Sequence, residues 1–292
     1  MESLLRGYRT ISLIGLGKNV GKTTVLNCLV GRMGGKLGLT SVGRDGEDVD
    51  VVTQTSKPRI FVRAGTIVAT AEGLLALCDI SMEILAVKDW STPMGRVVVV
   101  RALSAGFVQL GGPSMTAQLA ELLKDLESFD IDKILIDGAI SRKSLAAPSV
   151  ADAAILCTGA AISPRMDIVI AKTRHAVSML TLPKAAEDAD CIPMPGAISD
   201  SKLKELVTSG TNLKNKTILA DDPSKILITP ETYEKLLIKQ ATLAVKTPIN
   251  LAAVTINPIS PSGIAFDPAE FLAKMCGALS IPVFNVQEEN NA

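Results

Sequence analysis

The sequence predicts an α/β fold with a mostly parallel sheet flanked by helices, and three observations carry that expectation. Short apolar runs rich in Val and Ile, too brief for isolated helices, recur from one end of the chain to the other. Stretches of helical periodicity alternate with them, as the crossovers of a parallel sheet require. The length of 292 residues at 47% hydrophobic content suffices to bury one large core, or two modest ones, without disulfides or structural metals.

The clearest strand patterns fall on residues 10–14, 96–102, 133–136, 153–157, 225–228, 251–256 and 283–286. Helices are expected over residues 22–33, 115–127, 166–180, 230–239 and 268–279. Two of these have explicit start signals. Thr229-Pro230-Glu231 and Asp267-Pro268-Ala269-Glu270 each supply a capping side chain, a proline preset for the first turn and an early acid favoured by the helix dipole. Residues 57–69, KPRIFVRAGTIVA, read as two short strands around Ala64-Gly65, a hairpin inserted as an edge or flap. Over residues 182–216 the periodicity weakens around Pro183, Pro193, Pro195 and Gly196. That stretch is read as a connection between an N-terminal region, residues 1–181, and a C-terminal α/β region, residues 217–292, with one continuous sheet as the alternative.

Composition removes several functions. Thirty basic residues balance thirty acidic ones and aromatics make up 3%, so neither a cationic field nor stacking rings favour nucleic acid as a partner. Cys28, Cys78, Cys157, Cys191 and Cys276 are far apart, and His175 is the only histidine, so zinc, iron–sulfur and histidine chemistry lose support. The cysteines read as small buried hydrophobes of a reducing compartment, which makes the expected location cytoplasmic. MESLLRGYRT lacks the pattern of a signal peptide, and no run approaches the roughly 18 apolar residues of a membrane span, so a membrane partner is not expected.

The most specific segment is TISLIGLGKNVGKTTVLNCLV, a β-rich run, a glycine-rich turn with Gly15, Gly17 and Gly21, then Lys22-Thr23-Thr24 opening a helical pattern. This is the context of a P-loop for ATP with magnesium. In such a loop the amides of Lys18, Asn19, Val20 and Gly21 would curl around a β-phosphate with the helix dipole behind them. Lys22 would bridge the β- and γ-phosphates, Thr23 would offer its hydroxyl to magnesium, and Thr24 would support the loop or meet the α-phosphate. The spacing is unusual. The common G-x-x-x-x-G-K-[ST] places its first glycine where this chain has Leu16; starting at Gly15 gives a loop one residue longer, and starting at Gly17 one residue shorter.

A magnesium-nucleotide site needs a carboxylate from another strand. Asp137 emerges at the carboxyl end of the expected strand 133–136, before Gly138, at the edge where open α/β sheets bind ligands; the alternative is a plain Asp-Gly turn. Asp45 follows an expected strand in LTSVGRDGE and could meet magnesium or orient a water, with Arg44 on phosphate, or both could belong to a solvated loop. Lys57-Pro58 resembles a Lys-Pro pair of the dethiobiotin synthetases, which implies a lysine that serves the phosphates; a plain surface lysine is the alternative. Gly111-Gly112-Pro113-Ser114 suggests a strand-to-helix loop, with Ser114 as a helix cap or a partner contact. Asn257, before Pro258, can read a base or form an Asn-Pro turn, and the absence of N-K-x-D favours adenine.

The longer loop, G-x-x-x-x-x-G-K-T, resembles that of dethiobiotin synthetase and its relatives, in the same broad class as the septum-site and nitrogenase-iron ATPases. The resemblance implies a P-loop NTPase with a C-terminal α/β extension. Those ATPases carry an early loop lysine that reaches across a dimer; Lys18 falls one position from it, and a homodimer is one arrangement the resemblance implies. The segments GLGKNVGKTTVLN, LTSVGRDGEDVDVVT, KPRIFVRAGT, STPMG, GGPS and ILIDGAISRKSLAAPS together resemble the P-loop subunits of lysine 5,6-aminomutase reactivases. That implies ATP-driven release of damaged cobalamin from an adenosylcobalamin-dependent aminomutase, with a second reactivase subunit as partner. The competing readings are a small-molecule kinase or ATP-dependent ligase of the dethiobiotin-synthetase type, and a nucleotide-binding scaffold without turnover.

Overall fold

The computed structural model describes residues 1–43, 59–113, 115–138 and 150–291. Its centre is a nine-stranded sheet in the order β16-β15-β9-β1-β8-β2-β4-β6-β5. In chain order these strands are β1 (Thr10–Gly15), β2 (Leu37–Ser41), β4 (Ile67–Ala71), β5 (Met82–Thr92), β6 (Gly95–Ala102), β8 (Lys133–Asp137), β9 (Ala153–Gly159), β15 (Leu251–Asn257) and β16 (Val283–Asn285). The seven strands from β16 to β4 run parallel, and at one edge β6 pairs antiparallel with both β4 and β5. Burial explains the parallel centre: β1 and β9 are buried at every residue, as strands covered on both faces must be.

Helices cover both faces. On one, α1 (Lys22–Arg32) packs Val25, Leu26 and Leu29 over Ile11, Leu13 and Leu135. On the other, α2 (Thr116–Glu127) and α3 (Met166–Leu180) bring Leu119, Leu122, Leu126, Val177 and Leu180 against Ile14, Ile136 and Leu156. The register follows from the period of two along each strand, which sends Leu13 to α1 and Ile14 to the opposite layer. No helix among the described residues is long and apolar enough to cross a membrane.

Residues 182–216, expected as a connection, carry β10 (Cys191–Pro193), β11 (Ile198–Ser199) and α4 (Asp200–Thr208). With β12 (Thr217–Ala220), β13 (Ile226–Leu227), α5 (Pro230–Ile238) and β14 (Thr242–Val245) they build a second, smaller layer. Its three-stranded parallel sheet, β10-β12-β14, has a core of its own around Ile198, Leu203, Ile218, Leu236 and Leu243. The chain then returns to the large sheet through β15, α6 (Pro268–Ala278) and β16, so residues 217–292 divide between the two sheets. Both expected start signals cap their helices: Thr229 accepts from the Thr232 amide, and Asp267 from the Glu270 amide. A last short helix, α7 (Val286–Asn291), follows β16.

The expected hairpin around Ala64-Gly65 is corrected. A turn exists there, with Gly65 at φ 89°, but its flanks join different partners. β3 (Ile60–Val62) pairs with β7 (Gly106–Val108), whereas β4 pairs with β2 and β6. Lys57, Pro58 and Ser114 lie outside the described residues. Gly111, Gly112 and Pro113 are buried in a clasp: the Gly111 amide donates to Thr70 Oγ1 at 3.0 Å and the Gly112 amide to Ser41 Oγ at 3.1 Å. A side chain at Gly112 would begin 1.8 Å from the Ser41 carbonyl oxygen, so close backbone approach alone demands that glycine.

Candidate functional site

Because β8, β1, β9 and β15 are parallel neighbours, their carboxyl ends deliver Asp137, Gly15, Gly159 and Asn257 to one edge of the sheet. Between β1 and α1 the chain makes a tight curl in which Asn19 has φ 59° and Gly21 φ 89°. At Gly21 the left-handed conformation and the neighbouring Asn257, whose Cβ lies 3.3 Å from where a side chain would begin, both select glycine. Gly21 caps α1 without a side-chain hydrogen bond, and the first turn of α1 holds no acid. Helices α4, α5 and α6 differ: each has a side-chain cap and an acid in its first turn. The leading amides of α1 therefore keep their hydrogen-bonding capacity and the positive end of the dipole for an external anion.

Lys22 folds back under the curl. Its Nζ lies 3.0 Å from where a side chain at Gly15 would begin, and it forms no hydrogen bond or ion pair with a described residue. Gly15 thus leaves space that the lysine stem occupies. In register with Leu13 on the next strand stands Asp137. Part of this residue is exposed, but its Oδ1 is shut off from solvent and has no hydrogen-bond partner among the described residues. Burial pushes its carboxyl up to about 6, and the positive charge of Lys22 acts in the opposite direction. Cys157, in register with Gly15 on the other flank, is pushed up to about 11 by burial and stays a neutral thiol.

Above the curl opens a cavity of about 490 Å³ lined by Lys18 to Thr24 on one side and by Asn257, Ile259, Ser260, Pro261, Val286 and Gln287 on the other. It brings together the expected Lys18, Asn19, Val20, Gly21, Lys22, Thr23, Thr24 and Asn257. Gly15 and Gly17 lie beneath it as backbone, and Asp137 is reached through Lys22 rather than on the cavity wall. Asn257 Oδ1 accepts from the Ile259 amide at 3.2 Å, which fixes the side chain and turns its NH₂ group toward Gly21. Its carbonyl also accepts from the Ala160 amide at 2.9 Å, so the Asn-Pro turn and a placement on the cavity wall are both realised.

Arg44 and Asp45 lie outside the described residues. Five lining residues had no sequence signal for this place. Ile259, Ser260 and Pro261 follow Asn257 directly, so a strand-end loop could have suggested them; Val286 and Gln287 arrive from the far end of the chain. Val286 is buried against α1 and closes the cavity on that side. Chemically, the cleft offers the amides of the curl, an ammonium with no hydrogen bond or ion pair among the described residues and two hydroxyls at the start of α1, with a carboxyl behind the ammonium that titrates at about 6. No protein-family model, curated protein or solved structure matches this chain.

Proposed function

We propose that the cleft binds ATP with magnesium and that the chain hydrolyses it. One observation carries this reading: the Lys22 ammonium, without a hydrogen bond or ion pair among the described residues, lies beneath the curl at the start of α1, which has no side-chain cap, beside the sheltered carboxyl of Asp137. A polyphosphate would satisfy the amides and the ammonium, and a magnesium ion held with it would answer the carboxylate. The cavity of about 490 Å³ also falls within the range of small-ligand sites, which supports a whole nucleotide rather than phosphate alone. Asn257 and Gln287 then face the base, opposite the phosphates.

The residues suit magnesium. Among the described residues no cluster of three or more His, Cys, Asp or Glu side chains forms a cage for a metal. Magnesium is commonly held by one or two protein oxygens together with substrate phosphates and water, and Thr23 and Asp137 would supply those oxygens. When bound, the ion neutralises charge on the transferred phosphoryl group. The chain's own part is positioning: the curl would orient the phosphates and Lys22 would place positive charge between them.

The wider role is that of a nucleotide-driven chaperone that reactivates a cobalamin-dependent aminomutase together with a second subunit. This part rests on the resemblance of the quoted segments, and hydrolysis would act as the switch that changes affinity for the partner. The test is nucleotide turnover and thermal stability measured on the purified chain, alone and with an aminomutase and its companion subunit. Magnesium-ATP at about a hundred times its Kd is expected to raise the melting temperature by several degrees. Phosphate release should accelerate when the companion proteins are added. No shift with any nucleotide would refute the binding site, and a shift without turnover in either setting would refute the chaperone role.

A further inference from the structure

The smaller layer carries a second cavity that the nucleotide reading does not use. Helices α4 and α5 leave between them a groove of about 540 Å³. Leu203 and Leu236 are buried at its floor, Val207 forms one wall, and Ile238 stands at the rim with 81% of its surface exposed. An exposed isoleucine beside an apolar furrow is costly in water unless something covers it.

The charges on the groove identify its cover. Lys204, Lys235 and Lys239 line it, and none of them forms an ion pair among the described residues. The only acid on the lining is Asp200, whose carboxylate already accepts from the Thr229 amide at 2.9 Å; these hydrogen bonds, with those from the Thr232 and Thr229 hydroxyls, hold it below the usual carboxylate range. Lys239 also lines an adjoining hollow with Val207 and Lys214, which extends the same apolar and cationic pattern past the ends of both helices. An apolar stripe between flanking rows of carboxylates would match this surface.

We infer that the groove between α4 and α5 is a docking site for an acidic amphipathic helix of a partner protein. Apolar side chains spaced at i, i+3 or i+4 and i+7 enter between the two helices, and the partner's Glu and Asp side chains meet the three lysines. The groove shares no lining residue with the nucleotide cleft, so the two proposals fail or succeed separately.

The experiment uses the full chain and a fluorescently labelled helical peptide with leucines on one face and glutamates flanking them. Its control is the same peptide with every glutamate replaced by lysine. Fluorescence anisotropy should show the glutamate peptide binding about tenfold more tightly than the lysine peptide, with the advantage shrinking as salt rises. Ile238→Asp should abolish binding, and because that side chain is exposed the variant keeps its fold. The combined Lys204→Glu, Lys235→Glu and Lys239→Glu variant should reverse the preference and favour the lysine peptide. Equal binding of the two peptides, binding unaffected by Ile238→Asp, or an unreversed preference in the triple variant would each overturn the proposal.

Discussion

Replacing Lys22 with alanine is expected to weaken magnesium-ATP binding by about a hundredfold or more and to bring phosphate release to background. The ammonium would donate to two phosphates, and each charge-assisted hydrogen bond contributes about 1.5–3 kcal/mol, where 1.4 kcal/mol is a factor of ten. Because Lys22 forms no hydrogen bond or ion pair with a described residue, its removal costs the ligand-free chain only the contact of its stem with Gly15. Stability without nucleotide should therefore stay close to that of the unaltered protein. The readout pairs calorimetric titration with thermal unfolding. A variant that binds normally would exclude Lys22 from the phosphates, and a variant that unfolds without ligand would make it a structural residue.

Asp137→Asn should act in opposite directions on function and on stability. Losing the carboxylate removes the sheltered acid whose charge Lys22 favours, so magnesium-dependent turnover should fall by about a hundredfold or more. Stability relative to the parent, in contrast, should rise between about pH 4 and about pH 6 and stay higher above that. Burial raises the Asp137 carboxyl from 3.8 to about 6, so between these values the folded chain holds a proton that the unfolded chain has released. Its stabilising contribution is complete below about pH 4 and is lost as pH climbs through about 6. Asparagine does not titrate, so the variant gains relative to the parent across that window and keeps the gain above it. The limit is about 3 kcal/mol for a shift of this size, and partial exposure of the residue reduces it. Urea unfolding from pH 4 to 8, without nucleotide or magnesium, measures the difference. Parallel profiles for the two proteins would show that Asp137 is not the strained carboxyl described above.

The large sheet was legible because its central strands are buried on both faces. Val97 to Val100, Ile134 to Ile136 and Ala153 to Cys157 are unbroken apolar runs that only a covered strand would have. In the small layer β13 and α5 were legible but the three-stranded sheet was not, since β10, β12 and β14 span three or four residues each, one of them contains Pro193, and half-exposed positions blur their pattern. β5 escaped for a related reason: as an edge strand with two register shifts it interleaves Glu83, Lys88 and Asp89 with its apolar positions. The hairpin expectation treated Ala64-Gly65 as joining strands that pair with one another, whereas β3 and β4 each find a partner distant in sequence. At the site, the curl and Asp137 could be read because turn chemistry and strand ends are local properties. On the cavity's other wall Asn257 could be read as a strand end, but Val286 and Gln287 could not, because Val286 meets Gly21 only through the return of the chain from the small layer to the large sheet.

The central claim is that the curl between β1 and α1 holds a polyphosphate, and a structure of the chain with magnesium and a non-hydrolysable ATP analogue tests it most directly. The predicted result places the β-phosphate against the amides of residues 18–22 with Lys22 Nζ between two phosphates, and the base beside Asn257 and Gln287. An analogue bound elsewhere, or a curl whose amides remain turned away from any anion at saturating ligand, would contradict it.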